Sequence, residues 1–329
     1  MDTFKALRIY SDHEATHSSL EDLTLNDLSE GEVVIQSAWS SVNYKDAMAF
    51  TGTGKILRKS PLVGGIDVAG KVIDSTDSRF NIGDAVFVTS AGLSETRDGG
   101  YSELARLQAD STIKIPEVFT AREVMALGTA GFTAALAVHS MEHNGQHPNQ
   151  GPVAVNGATG GVGSVAIDLL SGRGYEVHAI TAKPDAVDYL KSLGAQKVIT
   201  PDALEMGTRP LEKAIWSGAI DSLGGEMLAW FTRTTKYGGN IASIGLAASP
   251  RLEATVIPFI LRGINLLGIN AVDTTRQKRL EVWERLASDL RPRHLDKIVT
   301  REIALAEVAE TMSHWIEGRV MGRSLVKIS

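Results

Sequence analysis

Glycines at 157, 160, 161 and 163 follow a short apolar run, Val153-Ala154-Val155, and precede Ser164-Val165-Ala166-Ile167-Asp168-Leu169-Leu170. The order predicts a buried strand, a tight glycine turn and a helix with one apolar face. The chemistry open to such a turn is the holding of an anion. Gly160 lets the backbone approach a ligand closely, and Gly163 lets helix and strand pack. The amides and dipole of the helix N-terminus then face the negative charge. Against the dinucleotide pattern G-x-G-x-x-G the fit is Ala158-x-Gly160-x-x-Gly163, with alanine in the first slot. Glycines alone would serve any tight strand-to-helix turn. The strand before, the helix after and a second strand at Tyr175 to Ile180 make this a nucleotide site built from Thr159, Gly160, Gly161, Val162 and Gly163.

The end of that second strand selects the nucleotide. NAD-specific turns place an Asp or Glu there, ~20 residues beyond the glycines, on the ribose 2′-hydroxyl. Here stand Thr181-Ala182-Lys183-Pro184, with no acid until Asp185. A missing carboxylate removes repulsion from a 2′-phosphate, and Thr181 and Lys183 can donate to it. One charge-assisted contact contributes ~1.5–3 kcal/mol, a ten- to hundredfold preference. The expected cofactor is NADPH, the alternative being a loop lysine and loose specificity.

Two other groupings have chemistry-bearing spacing. His139-Ser140-Met141-Glu142-His143 spells the H-x-x-E-H string of some metalloproteases. Gly145 is expected to end that helix at once and no acidic third ligand stands nearby, so a polar helix end near the negative dipole accounts for it. In the first third of the chain, Ser41-Val42-Asn43-Tyr44-Lys45-Asp46 places a tyrosine where an apolar residue would satisfy a strand end. Its hydroxyl can donate to a substrate carbonyl or protonate a carbanion, or simply cap a barrel. Asn43 and Asp46 are expected to order the turn. Lys55, Arg58 and Lys59 form a basic cluster able to meet phosphates or to serve as a solvated loop.

The elements that position these residues read as two lobes. Residues 1 to about 118 consist of short strands between turn residues, fitting a small irregular β-barrel. From Pro152 onward strands alternate with helices, which argues a doubly wound parallel sheet. Between them Leu127 to Val138 reads as a buried helix and is the longest apolar run, short of the ~18 residues of a membrane span. The 329 residues suffice for two cores, and a net charge of −6 argues against nucleic-acid or anionic-membrane partners. No cysteine is present, which excludes disulfides and thiolate zinc sites and makes the cytoplasm the default location. The N-terminus lacks a signal-peptide pattern.

The chain resembles the medium-chain dehydrogenase/reductase superfamily, and within it the zinc-free acrylyl-CoA reductases, often labelled quinone oxidoreductase-like. The matching pieces are Ser41 to Asp46, Thr51-Gly52-Thr53-Gly54-Lys55, Gly65-Ile66-Asp67-Val68-Ala69-Gly70, Gly128 to Ala134, Tyr189 to Ala195, Pro258-Phe259-Ile260-Leu261-Arg262 and Gly322 to Lys327. The resemblance implies a GroES-like β-barrel catalytic domain, 1–122 completed by 296–329, and a Rossmann NADPH-binding domain, 123–295. Zinc alcohol dehydrogenases of the superfamily carry a cysteine ligand where Asn43 stands and a histidine-glutamate pair at Ile66 and Asp67. Neither Asn43 nor Ile66 can replace a thiolate or an imidazole, so metal-free chemistry is expected. The resemblance further implies cofactor contacts at Tyr44, Thr129, Leu246, Ile260 and Ala271, the last where the family often has serine, with Arg323 a further candidate.

The expected activity is NADPH-dependent reduction of the activated double bond of acrylyl-CoA to propanoyl-CoA. Hydride adds to the β-carbon, enolate charge on the thioester oxygen is met by amide or hydroxyl donors, and Tyr44 or water protonates the α-carbon. The substrate comes from the resemblance alone. A quinone or enone reductase on the same fold is the alternative, and a non-catalytic NADPH-binding sensor the alternative from another class. The apolar stretch Gly263 to Ile269 reads as an exposed sheet edge, which suggests a homodimer.

Overall fold

The computed structural model describes residues 3–12 and 15–329. In chain order its elements are β1 (Phe4–Ser11), β2 (Thr16–Leu23), β3 (Val33–Val42), α1 (Tyr44–Thr51), β4 (Leu62–Val63), β5 (Asp67–Ser75), β6 (Ala85–Thr89), β7 (Leu104–Leu107) and β8 (Ile113–Lys114). There follow α2 (Ala121–His143), β9 (Val153–Val155), α3 (Gly161–Gly172), β10 (Val177–Ile180), α4 (Val187–Ser192), β11 (Lys197–Ile199), β12 (Trp216–Asp221), α5 (Gly225–Thr234) and β13 (Thr235–Ser243). The chain continues through α6 (Ile257–Arg262), β14 (Asn265–Gly268), α7 (Arg276–Ala287), β15 (Val299–Ala304) and β16 (Arg323–Lys327). Packing divides the chain into a first unit of 1–129, 271–281 and 299–329, and a second of 130–270 and 282–298.

The first unit holds a seven-stranded sheet, β15-β16-β3-β5-β6-β8 with β7 also on β3, and a three-stranded sheet, β2-β1-β4. Val33 and Ile35 of β3, Val68 and Val72 of β5 and Val86 and Val88 of β6 alternate inward to make one core with Phe80, Leu93 and Leu107. Branched side chains at two-residue spacing fill a pleated face, which is why these runs pair as strands.

The second unit is a six-stranded parallel sheet in the order β11-β10-β9-β12-β13-β14. Val153, Ala154 and Val155 of β9 are fully buried, as the central strand of a sheet covered on both faces requires. Trp216, Trp230 and Phe231 pack edge-on or tilted beside it around Ala219, Leu228 and Ile241. The α/β architecture expected from the sequence, a β-rich lobe followed by a doubly wound parallel sheet, is the one found.

Two local readings are corrected. The stretch after Val42 is not a bare strand end: α1 begins at Tyr44 and stops at Gly52, whose φ of 69° is the left-handed conformation glycine adopts cheaply. Asp46 accepts from the backbone N–H of Asn43 at 2.8 Å, satisfying a donor that the helix start leaves over. The apolar run around Leu127 to Val138 belongs to a longer helix, α2, of 23 residues, which by length and composition alone could cross a membrane; 83% of that apolar window is buried in the protein. Its backbone breaks helical geometry at Gly128 (φ 53°, ψ −155°).

Candidate functional site

In the second unit the glycine turn lies at the carboxyl end of β9. Gly160 caps α3 from extended backbone (φ −73°, ψ 170°), and no side chain caps that helix end. Its amide donates to the Gly157 carbonyl at 2.9 Å, and its own carbonyl takes the Ser164 amide at 2.9 Å. The two motif glycines do different jobs. A Cβ on Gly163 would lie 2.5 Å from the Gly157 oxygen and 2.8 Å from the Ala158 Cα, so glycine there is demanded by close packing. A Cβ on Gly160 would meet only the Gly157 oxygen, at 3.2 Å. Protein packing therefore presses on residue 160 less than on 163, and with nothing else within 4 Å of such a Cβ there is room for a close-approaching pyrophosphate. Thr159 is buried beneath the turn, while Gly161 and Val162 are half-buried.

The neighbouring strand end completes this edge. The Ala158 amide donates to the Ile180 carbonyl at 3.3 Å, tying the turn to the end of β10. Thr181 is buried and its hydroxyl accepts from the Lys183 amide at 3.1 Å. Burial lowers the Lys183 pKa and the charge of Asp185 opposes that shift. The donor set of uncapped helix amides, a hydroxyl and an ammonium, with no carboxylate before Asp185, fits a dinucleotide bearing a 2′-phosphate. Tyr189, in the segment Tyr189 to Ala195, donates to the Ser164 hydroxyl at 2.9 Å in the first turns of α3. Leu246, just beyond β13, is 55% exposed, and Ile260 on α6 is 73% exposed.

The first unit contains a buried polar knot around Asn43 and Asp67, two positions at which the resemblance implies metal ligands in the zinc alcohol dehydrogenases. Asp67 is fully buried; it accepts from Asn43 Nδ2 at 2.7 Å, the Ser41 hydroxyl at 2.6 Å, and the Thr129 hydroxyl and amide at 2.6 and 3.0 Å. The break at Gly128 turns the Thr129 amide toward it. A Cβ at 128 would lie 2.5 Å from Asp67 Oδ2 and 2.6 Å from Arg323 Nη2, so only glycine fits there. Asp46, also fully buried, accepts from the Ile66 amide at 2.9 Å. Burial and the charge of Asp67 push the Asp46 pKa up to about 7, against the pull of the Asn43 and Ile66 donors. Tyr101 donates to the Ser41 carbonyl at 3.1 Å, and burial with two nearby carboxylates raises its pKa.

Arg323 is placed in this knot. It is 2% exposed. Nε donates to the Ala126 carbonyl, Nη1 to the Val42 carbonyl and Asn43 Oδ1, each at 3.0 Å, and Nη2 to the Ser41 hydroxyl at 2.7 Å, with Asp67 at 3.8 Å. Ala271 is likewise interior, its carbonyl accepting from Arg279 at 2.9 Å. Tyr44, at the first position of α1, is 39% exposed. Lys55, Arg58 and Lys59 lie exposed on the following loop. Among the described residues, no group of three or more His, Cys, Asp or Glu is placed to hold a metal ion. Glu142 of the H-x-x-E-H string is instead bound by Arg173 at 3.1 Å and Arg285 at 2.6 Å.

Comparison with known proteins places these features in a family. Residues 29–117 match the alcohol dehydrogenase GroES-like domain and residues 161–288 match the domain described as zinc-binding dehydrogenase. The acrylyl-CoA reductase AcuI of Ruegeria pomeroyi is 44% identical over 329 residues, covering 99% of each chain. YhfP of Bacillus subtilis, whose name assigns it provisionally to the quinone oxidoreductases, is 44% identical over 326 residues and 99% of each chain. The crystal structure of YhfP with NAD bound superposes with a TM-score of 0.96 at 43% identity, covering 100% of both chains. That of Escherichia coli YhdH with bound NADPH gives 0.95 at 42%, covering 98% of this chain and 100% of the other.

Proposed function

The chain belongs to the medium-chain dehydrogenase/reductase family and is an oxidoreductase, and from that premise we propose that it reduces the activated carbon–carbon double bond of acrylyl-CoA to propanoyl-CoA with NADPH. The observation that carries the reading is the open turn at Gly160 beside a strand end, Thr181-Ala182-Lys183, that offers donors and no carboxylate. The NADPH seen in YhdH supports the same cofactor, and the similarity to AcuI supports the substrate.

Thr159 to Gly163 hold the pyrophosphate in this reading, and Thr181, Ala182 and Lys183 the 2′-phosphate. Tyr44, Thr129, Leu246 and Ile260 are the proposed contacts to the rest of the cofactor. When bound, NADPH supplies the hydride. The protein's own residues must meet the enolate charge with hydroxyl or amide donors, one of which is worth ~2.7–4 kcal/mol in such sites. Thr129 gives its hydroxyl proton to Asp67, so its oxygen acts as an acceptor toward other donors such as Ser90, at 2.8 Å. The exposed phenol of Tyr44 is the proposed proton source for the α-carbon, and Lys55, Arg58 and Lys59 the charges facing the phosphates of coenzyme A.

A quinone or enone reductase is the second reading, supported by the equally similar YhfP. NADPH oxidation followed with acrylyl-CoA, crotonyl-CoA and a quinone, with NADH in parallel, decides between them. Turnover of the quinone alone overturns the thioester reading; no oxidation with any of the acceptors leaves only an NADPH-binding protein. We further propose a cytoplasmic homodimer paired through β14, an edge strand of the six-stranded sheet. A monomeric mass by light scattering would overturn that. The proposed domains are 1–122 with 296–329 for catalysis and 123–295 for the cofactor.

A further inference from the structure

Asn156 and Asp221 lie where the connections of the parallel sheet reverse direction. β9 and β12 are neighbours, while β10 and β13 leave on opposite sides of them. The gap at the carboxyl ends of β9 and β12 is therefore the switch point at which open sheets of this kind bind ligands. Asn156 follows β9 directly, Asp221 ends β12, and both are fully buried.

Their side chains form a closed buckle. Asn156 Nδ2 donates to Asp221 Oδ1. Asn156 Oδ1 accepts from the Ser222 amide at 2.7 Å, and Asp221 Oδ2 accepts from the Gly224 amide at 2.9 Å. The backbone amide of Asn156 adds a bond to the Ile220 carbonyl at 3.2 Å. The segments so joined open two helices, since Gly160 caps α3 and Gly224 caps α5. Gly157, the next residue, sits at φ 56°, and its carbonyl is the one that takes the Gly160 amide and abuts Gly163. Wherever the buckle holds residue 157, the mouth of α3 must follow.

We propose that Asn156 and Asp221 are a positioning pair that presets the glycine turn for the dinucleotide pyrophosphate. The proposal rests on the cofactor reading above. A buried carboxylate beside an anion site repels charge, so the contribution of the pair is geometric: it removes alternative placements of the turn that cannot receive the ligand.

The test is a fluorescence titration of NADPH against the protein without any acceptor substrate, with the thermal midpoint measured alongside. Asp221→Asn sets amide donors against each other or against the Gly224 N–H, and Asn156→Asp sets two carboxylates together. Each is expected to raise the NADPH Kd about tenfold, as one unmet buried hydrogen-bonding group implies. The exchange Asn156→Asp with Asp221→Asn restores a complementary pattern. The carboxylate moved to position 156 accepts from the Ser222 amide and from the side-chain amide moved to position 221, whose oxygen in turn accepts from Gly224. The exchange is expected to return Kd to within about threefold of the parent. A role in stability alone moves the thermal midpoint and leaves Kd unchanged. Folded single variants with the parental Kd, or a folded exchange variant as weak as the singles, would overturn the proposal. Should the singles not fold, the exchange variant is read alone by the same criterion. A parent chain that binds no NADPH sinks the cofactor reading instead, in the same titration.

Discussion

Asp46 should make the stability of this protein fall as pH rises through the weakly acidic range. Its carboxyl is fully buried and its pKa is pushed from 3.8 to about 7 by burial and by Asp67. The unfolded chain releases this proton near the ordinary value, whereas the folded chain keeps it until about pH 7. The folded state thus binds more protons across that window, and the stability it derives from them is present below ~4 and lost by ~7. At ~1.4 kcal/mol per pKa unit the whole window spans ~4 kcal/mol, of which about 3 kcal/mol falls between pH 4.5 and 7.5. Asp46→Asn removes the titration and adds a constant cost of ~1–3 kcal/mol, since one donor among the Asn43 and Ile66 amides loses its acceptor. Urea unfolding of both proteins across that range separates the two effects, because titrating groups that do not interact with Asp46 cancel in the difference. The variant should gain about 3 kcal/mol relative to the parent as pH rises. A difference that stays flat with pH would refute the reasoning.

Three further outcomes are expected. Arg323→Met leaves Asp67 buried without its cation and strips donors from the Val42 and Ala126 carbonyls, so urea unfolding at neutral pH should show a loss of ~3–5 kcal/mol; a loss below about 1 kcal/mol would contradict the geometry described. Lys183→Ala should cut the ratio of NADPH to NADH efficiency about ten- to hundredfold, and an unchanged ratio would mean that the 2′-phosphate is read elsewhere. Tyr44→Phe should lower turnover with the thioester; unchanged turnover rejects the phenol as a required proton source.

What the sequence revealed and what it hid follow from distance along the chain. The glycine turn, the strand before it and the non-acidic end of β10 are local, and each local choice carries its own steric or electrostatic reason. The missing zinc ligands at Asn43 and Ile66 were equally plain, because ligand identity is a property of single residues. α1 is hidden although its signals, Asn43 with Asp46 three residues on and Gly52 at the end, are present; the surrounding β-rich pattern outweighs eight residues of weak periodicity. The ion-paired knot was beyond reach, since Arg323 meets Val42 across 281 residues and no periodicity encodes such a meeting. For the same reason nothing local in the sequence shows that Arg323 meets the Ala126 and Val42 carbonyls, Asn43 Oδ1 and the Ser41 hydroxyl. Asn156 and Asp221, 65 residues apart, escaped because each alone is an ordinary polar residue at a strand end.

The knot around Asp67 also sets an order of events during synthesis. β16 lies between β15 and β3 in the seven-stranded sheet, and its Arg323 is the cation that Asp67 faces. A ribosome adding ~5–20 residues per second exposes Arg323 tens of seconds after Asp67 has left the tunnel. Throughout that interval β3 lacks one neighbour and Asp67 lacks its cation. The second unit, complete at residue 298, has all of its strands before the first has its last. The unit begun first is therefore completed last: its sheet still lacks β16 when every strand of the second unit has been synthesised.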